Sequence, residues 1–316
     1  MIDNQSPAGA SQESVRAALL LTNRLVVLDA TPLPAGEFWK LTERVDPADL
    51  LELDVAGIVD VVRCAHDEAV RYRTLLDAST ALMFERERLL EGGVTLVSAL
   101  DDRFPAGLRG RLASACPPFL LVAGAVEWLG RPALGVVGSR DAAPEALEVA
   151  RDAARNSAVR GWPVVSGLAR GVDQAAMAAA IEAGGHAVGV PADGILHASR
   201  NVEVRRSVHD GHLCLASPFA PSAPFRAGNA IGRNKIIYAL SQIAFVAAAD
   251  EGSGGTWAGA NEAIDRRYSR VAAWTGAGAE VGNTALVARG ATPITDVATL
   301  FDLDPAIPPP GQDALF

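Results

Sequence analysis

Four short stretches carry the residue types that grip phosphate. GVVGSR brings together Gly138, Ser139 and Arg140, and VVSGLARG brings together Ser166, Gly167, Arg170 and Gly171. GRNK supplies Arg233, Asn234 and Lys235, and DEGSGGT supplies Ser253, Gly254, Gly255 and Thr256. Glycine lets a backbone approach an anion closely, Ser and Thr hydroxyls donate to its oxygens, and Arg or Lys neutralises its charge. No covalent machinery accompanies these residues. There is no serine–histidine–aspartate order, no carboxylate pair at the loop positions and no GxxxxGK[ST] loop. Asp173 and Asp193 are the nearby carboxylates, and Asp173 reads as a helix-dipole partner or a brace for a loop arginine. The implied chemistry is binding of phosphate groups without catalysis, cofactor or metal. Lys235, one of two lysines in the chain, is expected at the mouth of a buried helix, where the macrodipole opposes a cation unless a polyanion lies in front.

Such loops need a scaffold that gathers them on one edge. From Ala133 onward, ALGVVGS, WPVVSG, HAVGVPA, HLCLAS, QIAFVAAA and RVAAWTG are short apolar runs bounded by Gly, Pro or Ser, most of them followed by a helical pattern. Continuous rather than alternating apolarity marks strands covered on both faces, which predicts an α/β fold with a Rossmann-like, doubly wound parallel sheet. Ligands of such sheets bind at the carboxyl ends of the strands. All four stretches fall directly after or beside a predicted strand end. Upstream, VTLVSAL and PPFLLVAGA predict two further strands around a proline-bracketed helix. Residues 13–92 read instead as helices with apolar residues at spacings of three and four, stopped by Gly92 and Gly93. The expected organisation is a helical domain over 13–92, a Rossmann-like domain over 93–303 and a Pro-rich tail over 304–316.

Composition limits the partners. Of 316 residues, 49% are hydrophobic, ample for packed cores. The opening MIDNQSPAGASQES does not read as a secretory signal, and Asn23 and Arg24 interrupt the most apolar early stretch, so a cytoplasmic protein without a membrane span is expected. Cys64, Cys116 and Cys214 lie far apart and read as free thiols. His209, His212 and Cys214 cluster in HDGHLC without a fourth ligand at a usual spacing, so no metal site is expected. The net charge of −9 disfavours indiscriminate nucleic-acid binding. That charge is uneven: residues 1–130 hold 12 Lys and Arg against 19 Asp and Glu, whereas 199–235 holds 6 against 2.

The pattern GVVGSR, then SGLARGVDQAAMAAAIEAGGHAVGV, then RNKIIYALSQIAFVAA and GSGGT resembles the core of the DNA-processing protein A (DprA, also called Smf) family in order and spacing. The likeness covers roughly residues 17–300. It extends to the helical segment, which looks like that family's sterile-alpha-motif-like domain, and to DDRFPAGLRGRLASACPPFLLVAGA. The resemblance implies a homodimer that binds single-stranded DNA and loads a RecA-type recombinase, in natural transformation or foreign-DNA processing. It implies Arg140 and Lys235 as the principal backbone-contacting cations, with Gly138, Ser139, Ser166, Gly167, Arg170, Arg233, Asn234 and the Gly254, Gly255, Thr256 loop around them. There are departures. Met177 stands where the family has a histidine, FRAGNAIG replaces a proline-containing approach to Arg233, and the family's C-terminal winged helix is not represented.

Bases of a bound strand need an apolar surface. Trp257 and Tyr238 are the aromatic candidates, both expected to pack in the core. The alternative reading is a nucleotide-binding sensor, or a hydrolase of the lysine-decarboxylase-like (LOG) type using the same pocket. For the hydrolase, Glu262 is six residues past Thr256 and falls on a different helix face from that family's carboxylate.

Overall fold

A computed structural model describes residues 10–304; apart from Asp304, the Pro-rich tail expected over 304–316 lies outside the described residues. The chain divides into two compact units. One is Met1–Pro105 with Ala113–Leu121 and Pro218–Ala220; the other is Ala106–Leu112, Val122–Ser217 and Pro221–Phe316.

The first unit is helical, with α1 (Gln12–Thr22), α2 (Ala35–Thr42), α3 (Val55–Val62), α4 (His66–Leu76) and α5 (Ser79–Glu91), then strand β1 (Val94–Ser98). Side-chain caps mark two starts: Ser11 accepts from Ser14 N, and Asp54 accepts from Gly57 N. Leu19, Leu20, Phe38, Leu50, Ile58 and Tyr72 are almost wholly buried and form its core. The Trp39 indole donates to the Cys116 carbonyl at 2.7 Å. The charged segment DEAVRYRTLLDASTALMFERERLLEGG carries no internal stop signal. Even so, the chain breaks at Asp77 and Ala78, where no glycine or proline signals an end and Ala78 carries no side-chain cap.

In the second unit, α6 (Ala106–Leu112) is followed by β2 (Phe119–Ala123), whose first three residues still count with the first unit. Arg111 on α6 donates to the carbonyls of Ala239 and Ser241 and to Gln242 Oε1 at 2.6–3.0 Å. The six expected strands are all present: β3 (Leu134–Gly138), β4 (Val164–Ser166), β5 (Ala187–Gly189), β6 (Leu213–Ser217), β7 (Ile243–Ala248) and β8 (Arg270–Trp274). The helices are α7 (Pro144–Val159), α8 (Val172–Glu182), α9 (Ile195–Ala198), α10 (Val202–His209), α11 (Ala227–Leu240), α12 (Gly254–Arg266) and α13 (Val281–Ala288). A short β9 (Thr292–Ile294), not anticipated, pairs with β8. Pro293 lies in its middle, which an edge position tolerates.

The strand order is β6-β5-β4-β3-β7-β8-β9, with parallel pairing at every junction. The chain thus winds outward from β3 in one direction and then, from β7, in the other. All six residues of β7 are buried, as expected for a central strand covered on both faces. The reversal between β3 and β7 is a topological switch point, where the loops beyond the two strands diverge and leave a crevice.

Candidate functional site

The crevice is a cleft of about 420 Å³. The turn after β3 contributes Gly138, Ser139, Arg140 and Asp141, and the end of β7 contributes Ala249 and Asp250. The start of α12 adds Ser253, Gly254, Gly255 and Thr256, and α11 with its preceding residues adds Phe225, Ala227, Ala230, Ile231, Arg233, Asn234 and Tyr238. The two strand ends are tied together by Ser139 N donating to Ala248 O at 2.9 Å.

Two glycines set the geometry beneath these loops. Gly171 adopts φ +79°, and a Cβ there would lie 2.5 and 2.6 Å from the carbonyl oxygens of Ser139 and Arg140. Glycine thus lets α8 begin directly against the β3 turn, where Val172 N donates to Ser139 O at 3.3 Å. Gly167 meets the guanidinium of Arg233, which would overlap any Cβ at that position. Arg233 donates to Gly167 O at 2.9 Å and to Asn234 Oδ1 at 3.0 Å. Asn234 in turn donates to Gly255 O at 2.9 Å, so α11 braces the glycine loop that opens α12.

Arg233 and Asp173 form a buried pair at 3.9 Å, with side chains 6% and 8% exposed. Asp173 also accepts from Gly167 N and Ala169 N at 3.2 and 3.4 Å. Burial pushes the Asp173 carboxyl up, against the pull of Arg233 and these N–H groups, and burial lowers Arg233 despite Asp173. For each partner, lost hydration outweighs the attraction, so the pair positions the loops more than it stabilises them. At the floor, Tyr238 is 1% exposed, and its hydroxyl and the Arg233 Nε have no hydrogen-bond partner. Both atoms are closed off from solvent and so belong to the packing beneath the cleft rather than to its open surface. Ser253 makes no side-chain cap to α12, and the first N–H groups of a helix have no intrahelical acceptor. The start of α12 therefore adds donors and a positive dipole end.

The cleft brings together Gly138, Ser139, Arg140, Arg233, Asn234, Gly254, Gly255 and Thr256 from the sequence-predicted set. It does not include Ser166, Gly167, Arg170 or Lys235. Ser166 is buried and donates to Val136 O at 2.6 Å, joining β4 to β3. Gly167 lies behind Arg233. Arg170 is mostly exposed and faces Asp141 at 3.8 Å. Lys235 is half-buried and does not line the cleft.

The expected helix start is corrected. Helix α11 begins at Ala227, so Arg233 and Lys235 lie in its interior and the dipole argument against a cation there no longer applies. FRAGNAIG offers two glycines, and Arg226 at the N-cap makes no side-chain cap, so nothing in the sequence marks the true start.

Charge is also more balanced than expected: Arg140 and Arg233 share the lining with Asp141, Asp173 and Asp250. Trp257 is half-buried rather than in the core and does not line the cleft. Sequence reasoning missed Phe225 and Ile231, which line the cleft while 53% and 47% exposed. An aromatic residue following proline in a strand-to-helix loop was the available signal. Glu262, weighed as a hydrolase carboxylate, accepts from the Tyr268 hydroxyl at 3.1 Å and does not line the cleft. No cluster of three or more His, Cys, Asp or Glu placed to hold a metal occurs among the described residues, and none of their helices is long and apolar enough to cross a membrane.

Comparison with known proteins agrees with this architecture. The family model described as DNA recombination-mediator protein A matches residues 95–303. DNA processing protein DprA of Bacillus subtilis is 29% identical over 167 residues, 52% of this chain and 55% of that protein. The matched stretch thus spans about half of the Bacillus protein's length. DprA of Streptococcus pneumoniae is 29% identical over 210 residues, 64% of this chain and 70% of that protein. The X-ray structure of the pneumococcal protein superposes with a TM-score of 0.67 at 23% identity, covering 86% of this chain and 99% of that one. DNA processing protein A of Helicobacter pylori, whose structure was described for its single-stranded DNA binding mode, gives 0.57 at 20% identity over 66% and 94% of the two chains. With the doubly wound sheet, the loops at its switch point and a family match across two thirds of its length, the chain belongs to the DNA recombination-mediator protein A family.

Proposed function

We propose that the protein is a non-catalytic single-stranded DNA-binding recombination mediator that grips the strand at the β3–β7 cleft. The observation that carries this reading is the convergence of an exposed arginine, Arg140, with the uncapped, glycine-rich start of α12 in one cleft. These groups complement phosphate oxygens and read no base edge, as sequence-tolerant binding requires. The Helicobacter relative's single-stranded DNA binding mode supports it. Lys235 and Arg170, outside the lining, are assigned to the strand as it leaves the cleft. Transfer to a RecA-type recombinase, action as a homodimer and a cytoplasmic setting in transformation or foreign-DNA processing complete the proposal, on the family's name and likeness.

The cleft volume favours one second reading. About 420 Å³ is within the range of small-molecule sites, so a free nucleotide sensed in the same cleft is the alternative. Titration with oligo-dT at several salt concentrations separates the two. The proposal expects salt-dependent binding weakened by Arg140→Ala; tight binding of a mononucleotide with none of oligo-dT would replace it by the sensor reading.

A further inference from the structure

One wall of the cleft has no use for a phosphate. Phe225 and Ile231 are large, apolar and about half exposed, yet both line the concave site that also holds Arg140 and the start of α12. Ala227 and Ala230 continue the wall with side chains too small to cover them. Isolated exposed apolar residues are ordinary on a protein surface. Two of them beside the donors of a phosphate site form a composite surface with one apolar and one anion-binding part. The Arg140 guanidinium stands 5.9 Å from the Phe225 ring centroid, within cation–π range. Arg140 is itself exposed, so a small swing of its side chain opens that ring face.

A ligand matching this surface has a flat π face joined to a phosphate, and the volume of the cleft exceeds what a phosphate alone fills. We infer that Phe225, flanked by Ile231 and covered by Arg140, is a base-stacking subsite that takes one nucleobase of the bound strand while its phosphate meets the start of α12. This rests on the single-stranded DNA reading and gives it a second, uncharged component. Every base has a π face, so the subsite adds affinity without choosing sequence. It also assigns a role to FRAGNAIG, which supplies the stacking wall.

The test compares oligo-dT with an abasic oligodeoxynucleotide of equal length, which keeps the phosphates and lacks the bases, on the full chain. The parent is expected to prefer oligo-dT by about tenfold, and Phe225→Ala to lose about that factor on oligo-dT, lose nothing on the abasic strand and keep the parent's salt slope. Phe225→Trp is expected to retain binding and to show fluorescence quenching by oligo-dT, absent with the abasic strand, beyond that of the five native tryptophans. Phe225 is too exposed for these changes to endanger folding, and unchanged thermal unfolding verifies that. If Phe225→Ala binds both strands as the parent does, or weakens equally on both, the stacking subsite is refuted while the binding reading stands. A parent that binds neither strand at any salt concentration overturns both.

Discussion

Substituting Gly167 by alanine strikes the brace on which the cleft depends. A Cβ at this position overlaps the Arg233 guanidinium, so Arg233 must leave its 2.9 Å bond to Gly167 O and its place beside Asp173. Both side chains of that pair are more than nine-tenths buried, and removing one partner of a buried ion pair costs about 3–5 kcal/mol. For a unit of this size that is roughly 6–20 °C in Tm, at about 2–4 °C per kcal/mol. Arg233→Met is expected to cost a similar amount, because it leaves the Asp173 carboxyl buried without its partner. The double change Arg233→Met with Asp173→Asn is expected to be less destabilised than the sum of the singles by at least about 1 kcal/mol, since hydration lost by each charge is regained when both go. Thermal and urea unfolding of the four proteins measure the cycle. Were Gly167→Ala to melt with the parent, or the double variant to be simply additive, the brace would not exist as described.

Two further outcomes follow from neighbouring geometry. Arg111→Ala removes donors to Ala239 O, Ser241 O and Gln242 Oε1 from the C-terminal end of α11, and urea unfolding is expected to show a loss of about 2–3 kcal/mol; no change would refute the capping role. His186 stacks on Trp128 at 3.7 Å, and burial with nearby His212 holds its pKa below 6.5. Its contribution is complete above 6.5 and is lost as pH falls through the lower folded value, so the melting temperature should decline on acidification below pH 6.5 and less so in His186→Phe.

Strand positions were legible because parallel strands buried on both faces leave uninterrupted runs such as IAFVAA, and because glycine and serine bound them. The gathering of the loops at the carboxyl ends of the strands followed from the doubly wound pattern, and eight of the twelve proposed residues do line one cleft. The roles within it were not legible. RNK reads as three groups aimed into a phosphate pocket, yet Arg233 turns into the protein and Asn234 spends its amide on Gly255 O. Whether a cation faces solvent or a buried carboxylate depends on its partner 60 residues away, and no local pattern records that. Phe225 was missed for the opposite reason. An aromatic side chain in a loop is usually packed, and only the surrounding fold leaves this one uncovered.

The central claim is a phosphate grip centred on Arg140, and its most direct test is the salt dependence of oligo-dT binding. With Arg140, Lys235 and Arg170 as the contacting cations, three phosphates are neutralised, and log K should fall against log salt with a slope of about −2 for a single strand. That is roughly an 18-fold loss between about 50 and 200 mM salt. Arg140→Ala should weaken binding at every salt concentration and flatten the slope by about 0.7. Unchanged affinity and slope in Arg140→Ala, or no binding of oligo-dT by the parent at low salt, would contradict the account.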